Sequence, residues 1–269
     1  MSPSRFWRDP ALPYAECRRA DDSRACYVAH AHDTLSVGMV ERGASRYRCP
    51  TGEQALQASS VVMVPAGVVH ACNPLPGRAW SYRMLHLDAA WCDALWRETG
   101  LDAPLAPVVS HTGGAALAAL TDLLFSPAAA ADKEAALVDY VGGQGWHDAP
   151  AAPAHADTAG AAPHPGIARV VALLRADCAC VHTLAALAAH AGLSRYHFIR
   201  AFHARTGMTP HAYQTDQRIQ QARRLLRAGA APARVAHDLG FADQSHFQRV
   251  FKARVAVTPG QYRAPASGR

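Results

Sequence analysis

A duplicated segment near the C-terminal end constrains the fold more than any other feature of the sequence. The segments YHFIRAFHARTGMTPHAY, residues 196–213, and SHFQRVFKARVAVTPGQY, residues 245–262, align at a constant offset of 49. His197, Phe198, Arg200, Phe202 and Arg205 recur in the second copy, and so do the Thr-Pro pair and the final tyrosine. Identity at this many positions predicts that the two segments form two copies of one structural unit.

Each copy follows a short apolar segment that ends in glycine. In the first copy Thr183 precedes LAALAAHA and then Gly192-Leu193, and in the second copy PARVAHDL precedes Gly240-Phe241. Threonine is a favoured helix N-cap, and glycine permits the positive φ that a tight reversal needs. A helix, a glycine turn and a second helix form a helix-turn-helix. We therefore expect two such units among six or seven helices in the last hundred residues.

The second helix of each unit carries two phenylalanines on one face and mostly polar residues on the other. With Phe198 and Phe202 buried, a rotation of about 100° per residue places the polar set outside. Arginine suits guanine, glutamine suits adenine, and the apolar Ile199 suits either a thymine methyl group or no readout. The predicted base-contacting residues are Tyr196, Ile199, Arg200, Gln244, Ser245, Gln248 and Arg249. The predicted phosphate-contacting residues are Ser194, His203, Arg218 and Lys252.

A long helix is predicted between the two units, from Thr209 and Pro210 to the region of Gly229. It would separate the two reading helices by a fixed distance, suited to adjacent major grooves roughly 34 Å apart. The second copy departs from the first at Ala256, where the first has Gly207. We therefore expect some strain in the turn at Ala256.

The positive charge of the chain is concentrated in this same region. From residue 164 onward there are 15 Arg and Lys against 4 Asp and Glu, whereas residues 1–163 carry 12 against 17. A basic half joined to an acidic half indicates a polyanion-binding module on a separate module. An arginine-rich solvated surface is the alternative reading of the charge, and a helical protein-interaction module is the alternative reading of the repeat.

The segments GLSRYHFIRAFHARTGMTPHAY, RIQQARRLL and GFADQSHFQRVFKARVAVTPGQYR together resemble the tandem helix-turn-helix domain of AraC-type transcription regulators. The resemblance covers about 100 residues of the chain. It implies binding to double-stranded DNA and regulation through RNA polymerase, more often as an activator than as a repressor. It also implies a protein that is not an enzyme.

The N-terminal half has a different pattern. Residues 25–88 show short apolar runs between turn signals, which predict strands in a small barrel or sandwich, and residues 89–142 show helical spacing of Ala and Leu. The Ala- and Pro-rich stretch 148–165 predicts a linker. The predicted fold is α+β in two domains: a cupin-like β-barrel with following helices at 10–147, and an all-α domain with two helix-turn-helix units at 166–265.

The barrel is predicted to bind a small effector. His30-Ala31-His32 and residues 65–73, PAGVVHACN, resemble the cupin barrel that often precedes such DNA-binding domains. An aromatic wall with a few polar groups suits a small polar metabolite. The predicted effector-binding residues are His32, His70, Cys72, Trp80, Tyr82 and Met84. The alternatives are that these residues only fill the barrel, and that the barrel only dimerises.

No metal or other cofactor is predicted. Metal cupins pair two histidines with a glutamate shortly afterwards and a later histidine, and the glutamate is missing here. Asp33 would point to the other face of the strand, and Glu41 is out of register. A metal-binding sensor or enzyme that uses His30, His32 and His70 is kept as the alternative.

The remaining features favour a cytoplasmic protein. No window approaches the roughly 18 continuous apolar residues of a membrane span, and the first residues do not form a secretory signal. The seven cysteines are scattered and odd in number, as reduced thiols would be. The sequence therefore predicts an effector-responsive DNA-binding regulator, with homodimerisation possible.

Overall fold

We describe the fold from a computed structural model of the chain. It describes residues 4–49, 52–101, 106–111, 113–143 and 164–263. The described residues divide into two compact units, the first formed by those within 4–26 and 31–143 and the second by residues 27–30 and 164–263. The first is rich in strands and the second is helical, which confirms the predicted α+β class. No helix among the described residues has both the length and the apolar character needed to cross a membrane.

The described part of the first unit contains nine strands. They are β1 (Ser4–Trp7), β2 (Ala15–Ser23), β3 (Thr34–Arg42), β4 (Ala44–Cys49), β5 (Gly52–Gln57), β6 (Val61–Val64), β7 (Ala71–Pro74), β8 (Trp80–Asp88) and β9 (Val108–Ser110). Six of them form one antiparallel sheet in the order β1-β2-β8-β3-β6-β9, and three form a second sheet in the order β5-β4-β7.

The strands predicted within residues 25–88 are confirmed, but β1, β2 and β9 lie outside that range. β2 was missed because its sequence, AECRRADDS, lacks the apolar alternation that marks a strand. Three of its polar residues, Glu16, Arg18 and Ser23, are nevertheless buried; Glu16 is 1% exposed and accepts a hydrogen bond from Arg8 at 2.7 Å. Compensated charges therefore take positions that apolar residues usually occupy.

Three helices, α1 (Ala89–Thr99), α2 (Gly114–Phe125) and α3 (Ala130–Gly143), cover one face of the six-stranded sheet, as the helical pattern at 89–142 predicted. The main core lies between these helices and alternate strand residues such as Leu35, Val37, Leu85 and Leu87. Because successive side chains of a strand point to opposite faces, the intervening residues point toward the three-stranded sheet.

The described part of the second unit contains seven helices, within the predicted six or seven. They are α4 (Pro165–Ala176), α5 (Leu184–Ala191), α6 (Arg195–Thr206), α7 (Pro210–Arg227), α8 (Pro232–Asp238), α9 (Gln244–Val255) and α10 (Pro259–Arg263). α6 and α9 begin and end at residues related by the offset of 49. The predicted linker at 148–165 lies outside the described residues except for His164 and Pro165, which begin α4.

The same aromatic packing recurs in both copies of the repeat. The rings of Phe198 and Phe202 are 5.5 Å apart, and Phe202 meets Tyr213 at 5.6 Å. In the second copy the rings of Phe247, Phe251 and Tyr262 follow one another at 5.5 Å. Each tyrosine hydroxyl also accepts a hydrogen bond from an arginine Nε, Arg175 at 2.8 Å and Arg223 at 3.1 Å. The duplication in sequence is therefore a duplication of a packed core.

The turns that follow α6 and α9 differ between the two copies, as the sequence predicts. Gly207 ends α6 with a φ of 69°, and Ala256 ends α9 with a φ of 60°. An L-residue with a side chain pays about 1–2 kcal/mol in this left-handed conformation, because its Cβ approaches the following carbonyl oxygen. The second copy therefore carries local backbone strain that the first avoids.

Exchanging the two residues gives a reciprocal test. We expect Ala256→Gly to raise the free energy of unfolding by about 0.5–1 kcal/mol, since the relief of strain exceeds the added backbone entropy. Gly207→Ala should lower it by about 1 kcal/mol. Chemical denaturation of the full chain, followed by far-UV circular dichroism, measures both values. Changes of the same sign in the two variants would contradict the assignment.

Candidate nucleic-acid interface and ligand cavity

Two helix-turn-helix units are formed as the sequence predicts. Thr183 caps α5, and Gly192 at a φ of 70° separates α5 from α6. Gly240 at a φ of 68° takes the equivalent position between α8 and α9. Ser194 and Asp243 cap α6 and α9, each accepting a hydrogen bond from a backbone N–H three residues later. These caps fix where each recognition helix begins.

All seven predicted base-contacting residues are exposed; three lie on α6 and four on α9. They are Tyr196, Ile199, Arg200, Gln244, Ser245, Gln248 and Arg249. The phenylalanines of the same helices are fully buried. Tyr196 is 64% exposed and Ile199 is 38% exposed, so neither large side chain is needed to fill the core. The helices thus present continuous outer faces, apolar and cationic on α6 and polar and cationic on α9.

The two equivalent arginines have different surroundings. Arg200 donates a hydrogen bond to the hydroxyl of Tyr196 at 3.0 Å, and its guanidinium lies 5.7 Å from the centre of that ring. Within the described part of the chain, no hydrogen bond or ion pair holds Arg249. Tyr196 therefore orients Arg200 along the face of α6, whereas Arg249 keeps its conformational freedom.

The predicted phosphate-contacting residues fall into two groups. His203 and Lys252 are exposed in the last turns of α6 and α9, and Ser194 is exposed at the start of α6. Ser194 is also engaged locally, because its hydroxyl lies 2.9 Å from Nδ1 of His197. Arg218, on α7, has a different environment. Phosphate contact stays a prediction for all four residues, and the environment of Arg218 offers a structural role as the alternative for that side chain.

The Arg218 side chain is surrounded by backbone carbonyl groups. Its Nε donates to the carbonyl of Cys178 at 2.7 Å, and its terminal nitrogens donate to Ala179 at 3.1 Å, Cys180 at 3.3 Å and Gly240 at 3.1 Å. Partial burial lowers the pKa of this guanidinium. Arg218 thereby joins the segment after α4 to the turn before α9. Its contact with several backbone segments could not be seen in the sequence.

A cavity lies between the two sheets of the first unit. The space that it encloses is small, about 10 Å³, which is roughly what one water molecule needs. Four of the six predicted effector-binding residues line it: Cys72, Trp80, Tyr82 and Met84. The lining residues that the sequence analysis did not name are Gly38, Met39, Val40, Leu56, Val62 and Arg83. They were missed because they come from several strands whose pairing the sequence does not show.

Two aromatic rings form one wall of this cavity. Trp80 and Tyr82 are stacked with ring centres 4.3 Å apart and an interplanar angle of 29°. The indole Nε1 of Trp80 is buried and has no hydrogen-bond partner among the described residues. Met84 lies over Gly38, where an added Cβ would come within 2.7 Å of the methionine methyl group. A glycine on β3 therefore gives the flexible Met84 its place.

The other two predicted effector-binding residues lie in a histidine cluster. The ring of His32 is 5.2 Å from that of His70 and 4.7 Å from that of His86, which the sequence analysis did not name. Nδ1 of His70 lies 2.9 Å from the carbonyl of Val68, and burial lowers the pKa of His70, so this imidazole is neutral. His30 belongs to the short segment 27–30 of the second unit.

Comparisons with known proteins agree with both halves of this arrangement. A family model described as an AraC-like ligand binding domain matches residues 12–139, and one described as a helix-turn-helix domain matches residues 187–265. The regulator YbfI of Bacillus subtilis, described as an uncharacterized HTH-type transcriptional regulator, is 28% identical over 248 residues, which are 88% of this chain and 87% of that one. The chain belongs to the AraC family of transcription regulators.

One further sequence relative and one solved structure are similar to this AraC-family regulator. The arabinose operon regulatory protein of Escherichia coli is 37% identical over 82 residues, which are 30% of this chain and 28% of that protein. The crystal structure of ToxT from Vibrio cholerae covers 100% of this chain and 99% of its own, with a TM-score of 0.60 and 13% identity. The likeness to ToxT shows a shared fold. Taken together, the matches identify a DNA-binding domain and a ligand-binding domain in this regulator.

The environment of Arg218 leads to a test that separates structural from phosphate contacts in this AraC-family regulator. We expect Arg218→Ala to lower the free energy of unfolding by about 1–3 kcal/mol, because several carbonyl groups lose a charged donor. The salt dependence of DNA binding should keep its slope. Lys252→Ala, the matched control on an exposed residue, should leave stability unchanged and reduce the slope by about 0.9.

Denaturation and DNA titrations at several salt concentrations give both quantities. A reduced slope with unchanged stability in Arg218→Ala would show that Arg218 contacts phosphate after all.

Proposed function

We propose that this regulator is an effector-responsive transcriptional activator that reads two DNA half-sites through α6 and α9. The observation that carries the proposal is the matching pair of exposed helix faces, produced by two copies of one packed core. Each face lies opposite buried phenylalanines and carries an arginine at the same position, Arg200 or Arg249. Such helices enter major grooves, where arginine favours guanine.

The length of α7 supports simultaneous reading of two grooves. Its 18 residues extend about 27 Å at 1.5 Å per residue. Successive major grooves on one face of the duplex are separated by roughly 34 Å. A stiff helix of this length between the two helix-turn-helix units, with α6 and α9 beyond its ends, suits binding to adjacent major grooves.

The two half-sites should differ in sequence, because the two recognition faces differ. α6 offers Tyr196 and Ile199 beside Arg200, a combination that suits a thymine methyl group next to guanine. α9 offers Gln248 beside Arg249, which suits adenine next to guanine. We therefore expect an operator that contains two adjacent half-sites of different sequence.

The first unit supplies the effector response. The matched ligand-binding domain model and the cavity lined by Cys72, Trp80, Tyr82 and Met84 support this role. ToxT, which shares the fold, has been crystallised with an unsaturated fatty acid bound. A ligand acts on a regulator through its different affinities for two states. We infer that the protein acts in the cytoplasm as a regulator and not as an enzyme, with RNA polymerase and a second copy of the chain as partners.

The DNA reading is tested by selecting bound fragments from random DNA with the full-length chain, and again with Arg200→Ala and Arg249→Ala combined. We expect the wild-type chain to enrich two short elements about one helical turn apart. Each arginine removed should cost about 1–3 kcal/mol of specific binding and relax the preference at one base position.

Arg234→Ala is the matched control, because Arg234 is an exposed arginine of α8 that pairs with Asp238. This variant should enrich the same two elements as the wild-type chain. An equal loss of affinity on every sequence in the double variant would refute the assignment of base contacts. Enrichment of a single element would refute the tandem reading.

A metal-responsive sensor is the second candidate. It is favoured by the pair His32 and His70, whose ligand nitrogens lie within 4.8 Å of each other. The backbone carbonyl of Val68 near Nδ1 of His70 is the kind of partner that orients a metal-binding imidazole. Among the described residues the group contains histidines only, without the glutamate that metal cupins add. We therefore place an organic effector first.

Titration of the full-length chain with Co²⁺, followed by its visible absorption spectrum, separates the two candidates. We expect the wild-type chain and His70→Ala to bind Co²⁺ equally weakly. His190→Ala, at an exposed histidine of α5, is the control for surface binding. Tight binding of Co²⁺ with the absorption spectrum of a tetrahedral site, lost in His70→Ala and kept in His190→Ala, would show that a metal ion is the effector.

A further inference from the structure

The helices α6 and α9 carry an arginine at the same position but differ in the residue one turn before it. Tyr196 precedes Arg200 by four residues on α6, and Ser245 precedes Arg249 by four residues on α9. Residues four apart lie on the same face of a helix and are neighbours there. Tyrosine is long enough to reach the guanidinium of such a neighbour, whereas serine ends at its hydroxyl group.

On α6 the tyrosine makes two contacts with the arginine. A terminal nitrogen of Arg200 donates a hydrogen bond to the hydroxyl of Tyr196 at 3.0 Å, and the guanidinium carbon lies 5.7 Å from the centre of the ring. The second distance is within the range of a cation–π interaction. Because long side chains of a helix point toward its N-terminus, the pair is directed to the N-terminal part of α6. That part of such a helix contacts base edges.

Tyr196 is itself held by residues at the start of the helix. Its ring meets the ring of His197 edge-on, with ring centres 5.6 Å apart and an interplanar angle of 74°. Nδ1 of His197 lies 2.9 Å from the hydroxyl of Ser194, the residue that caps α6. The contacts therefore run from the N-cap through His197 and Tyr196 to Arg200. They reduce the number of conformations that Arg200 has before it meets DNA.

The second copy holds its arginine in no comparable way. Asp243 caps α9 by accepting a hydrogen bond from the backbone N–H of His246, and the ring of His246 meets the buried ring of Phe241 at 5.7 Å. Within residues 164–263, no hydrogen bond or ion pair holds Arg249. The equivalent of the contacting tyrosine is Ser245, which is too short to orient it. Arg249 therefore loses its side-chain freedom only when DNA binds.

The held arginine keeps the donors that guanine needs. A guanidinium has five N–H groups, and the bidentate contact with O6 and N7 of guanine uses two of them. The hydrogen bond to Tyr196 uses one, so Arg200 can bind Tyr196 and guanine at the same time. Immobilising a long side chain on binding lowers an affinity by about two- to tenfold. Arg200 avoids part of this loss.

A wrong base has different consequences for the two arginines. A freely moving arginine that meets a base other than guanine can turn to a phosphate, which carries no sequence information, and so keeps part of its contribution to binding. An arginine held by a tyrosine makes this exchange less readily, because it must first leave its partner. The factor by which affinity falls when guanine is replaced, here called the discrimination, is therefore larger for Arg200 than for Arg249.

We propose that Tyr196 is a specificity-determining positioning residue, which makes the guanine read by Arg200 more strictly required than the guanine read by Arg249. Tyr196 acts through Arg200, and its hydroxyl is the group that matters. The inference rests on the proposed reading of two half-sites through α6 and α9. It adds which of the two half-sites is discriminated more strongly, and by which side chain.

Selection of bound duplexes from random-sequence DNA by the full-length chain locates the two guanines. The single variants Arg200→Ala and Arg249→Ala identify the base pair that each arginine reads, because each variant relaxes the preference at its own position. Affinities are then measured for the selected duplex and for duplexes in which one of the two guanines is replaced. We expect the discrimination at the Arg200 position to exceed that at the Arg249 position by about three- to tenfold.

Tyr196→Phe removes the hydroxyl and keeps the ring. We expect it to lower the discrimination at the Arg200 position by about threefold and to leave the Arg249 position unchanged. In a chain that already carries Arg200→Ala, the same change should have no further effect, since the tyrosine acts through the arginine. Tyr14→Phe is the matched control, because it removes a tyrosine hydroxyl of the first unit that binds Glu134 at 3.2 Å. It should match the wild-type chain at both positions.

Ser245→Tyr tests the reciprocal change, because it places a tyrosine four residues before Arg249. We expect the discrimination at the Arg249 position to rise by about threefold, with the Arg200 position unchanged. Ser245→Phe is its matched control, since it adds the ring without the hydroxyl, and it should give less of this gain. Thermal denaturation of each variant verifies that it folds.

The contrary outcomes are distinct. Equal discrimination at the two positions, or a Tyr196→Phe variant that discriminates as the wild-type chain does, would overturn the inference. A loss in Tyr196→Phe that persists in the Arg200→Ala background would also overturn it, because Tyr196 would then contact DNA directly. In each of these cases the wild-type chain still enriches two half-sites, so the proposed function stands. A wild-type chain that enriches no half-site would refute the proposed function, and this inference with it.

Discussion

The DNA-binding half depends on one repeated interaction, the packing of two phenylalanines against a tyrosine whose hydroxyl is held by an arginine. Phe198, Phe202, Phe247 and Phe251 are fully buried. Burying both rings of a helix fixes its rotation about its own axis, because residues four apart lie on one face. The same four side chains that stabilise the unit therefore decide which residues of α6 and α9 face outward. Loss of one such ring typically costs about 3–5 kcal/mol.

The arginines of this half serve two different purposes. Arg175 and Arg223 bind tyrosine hydroxyls, Arg218 binds carbonyl groups, and Arg254 lies 3.8 Å from the buried carboxylate of Asp216. The excess of positive charge counted in the sequence is thus partly used inside the domain. The positive charge that remains on α6 and α9 is smaller, and it includes Arg200 and Arg249 at equivalent exposed positions. Net charge indicated the class of partner, and packing determines which cations can reach it.

The sequence predicted features that depend on local chemistry. The caps at Thr183 and Thr209, the turn at Gly192 and the left-handed Ala256 follow from residue type and spacing, and the structure has them all. Features that depend on distant contacts were not predicted. β2 was missed because its buried charges are compensated by partners outside the strand. Likewise Gly38 and Leu56 enter the cavity only through strand pairing, and Arg218 receives its role from segments about 40 and 22 residues away.

Each candidate site lies on the face of a helix or strand opposite to the face that packs into the core. On α6 and α9 the inner face holds the phenylalanines and the outer face is left for bases. On β3 and β8 the residues around Val37 and Leu85 pack against helices, and the intervening Gly38, Val40 and Met84 meet the cavity. Helical periodicity thereby separates the residues that stabilise the DNA-binding half from those that we propose contact bases, and substitutions at the exposed positions should have little effect on packing. In the first unit the separation is incomplete, because the cavity-lining Val40 is 1% exposed and Met39 belongs to both the core and the cavity lining.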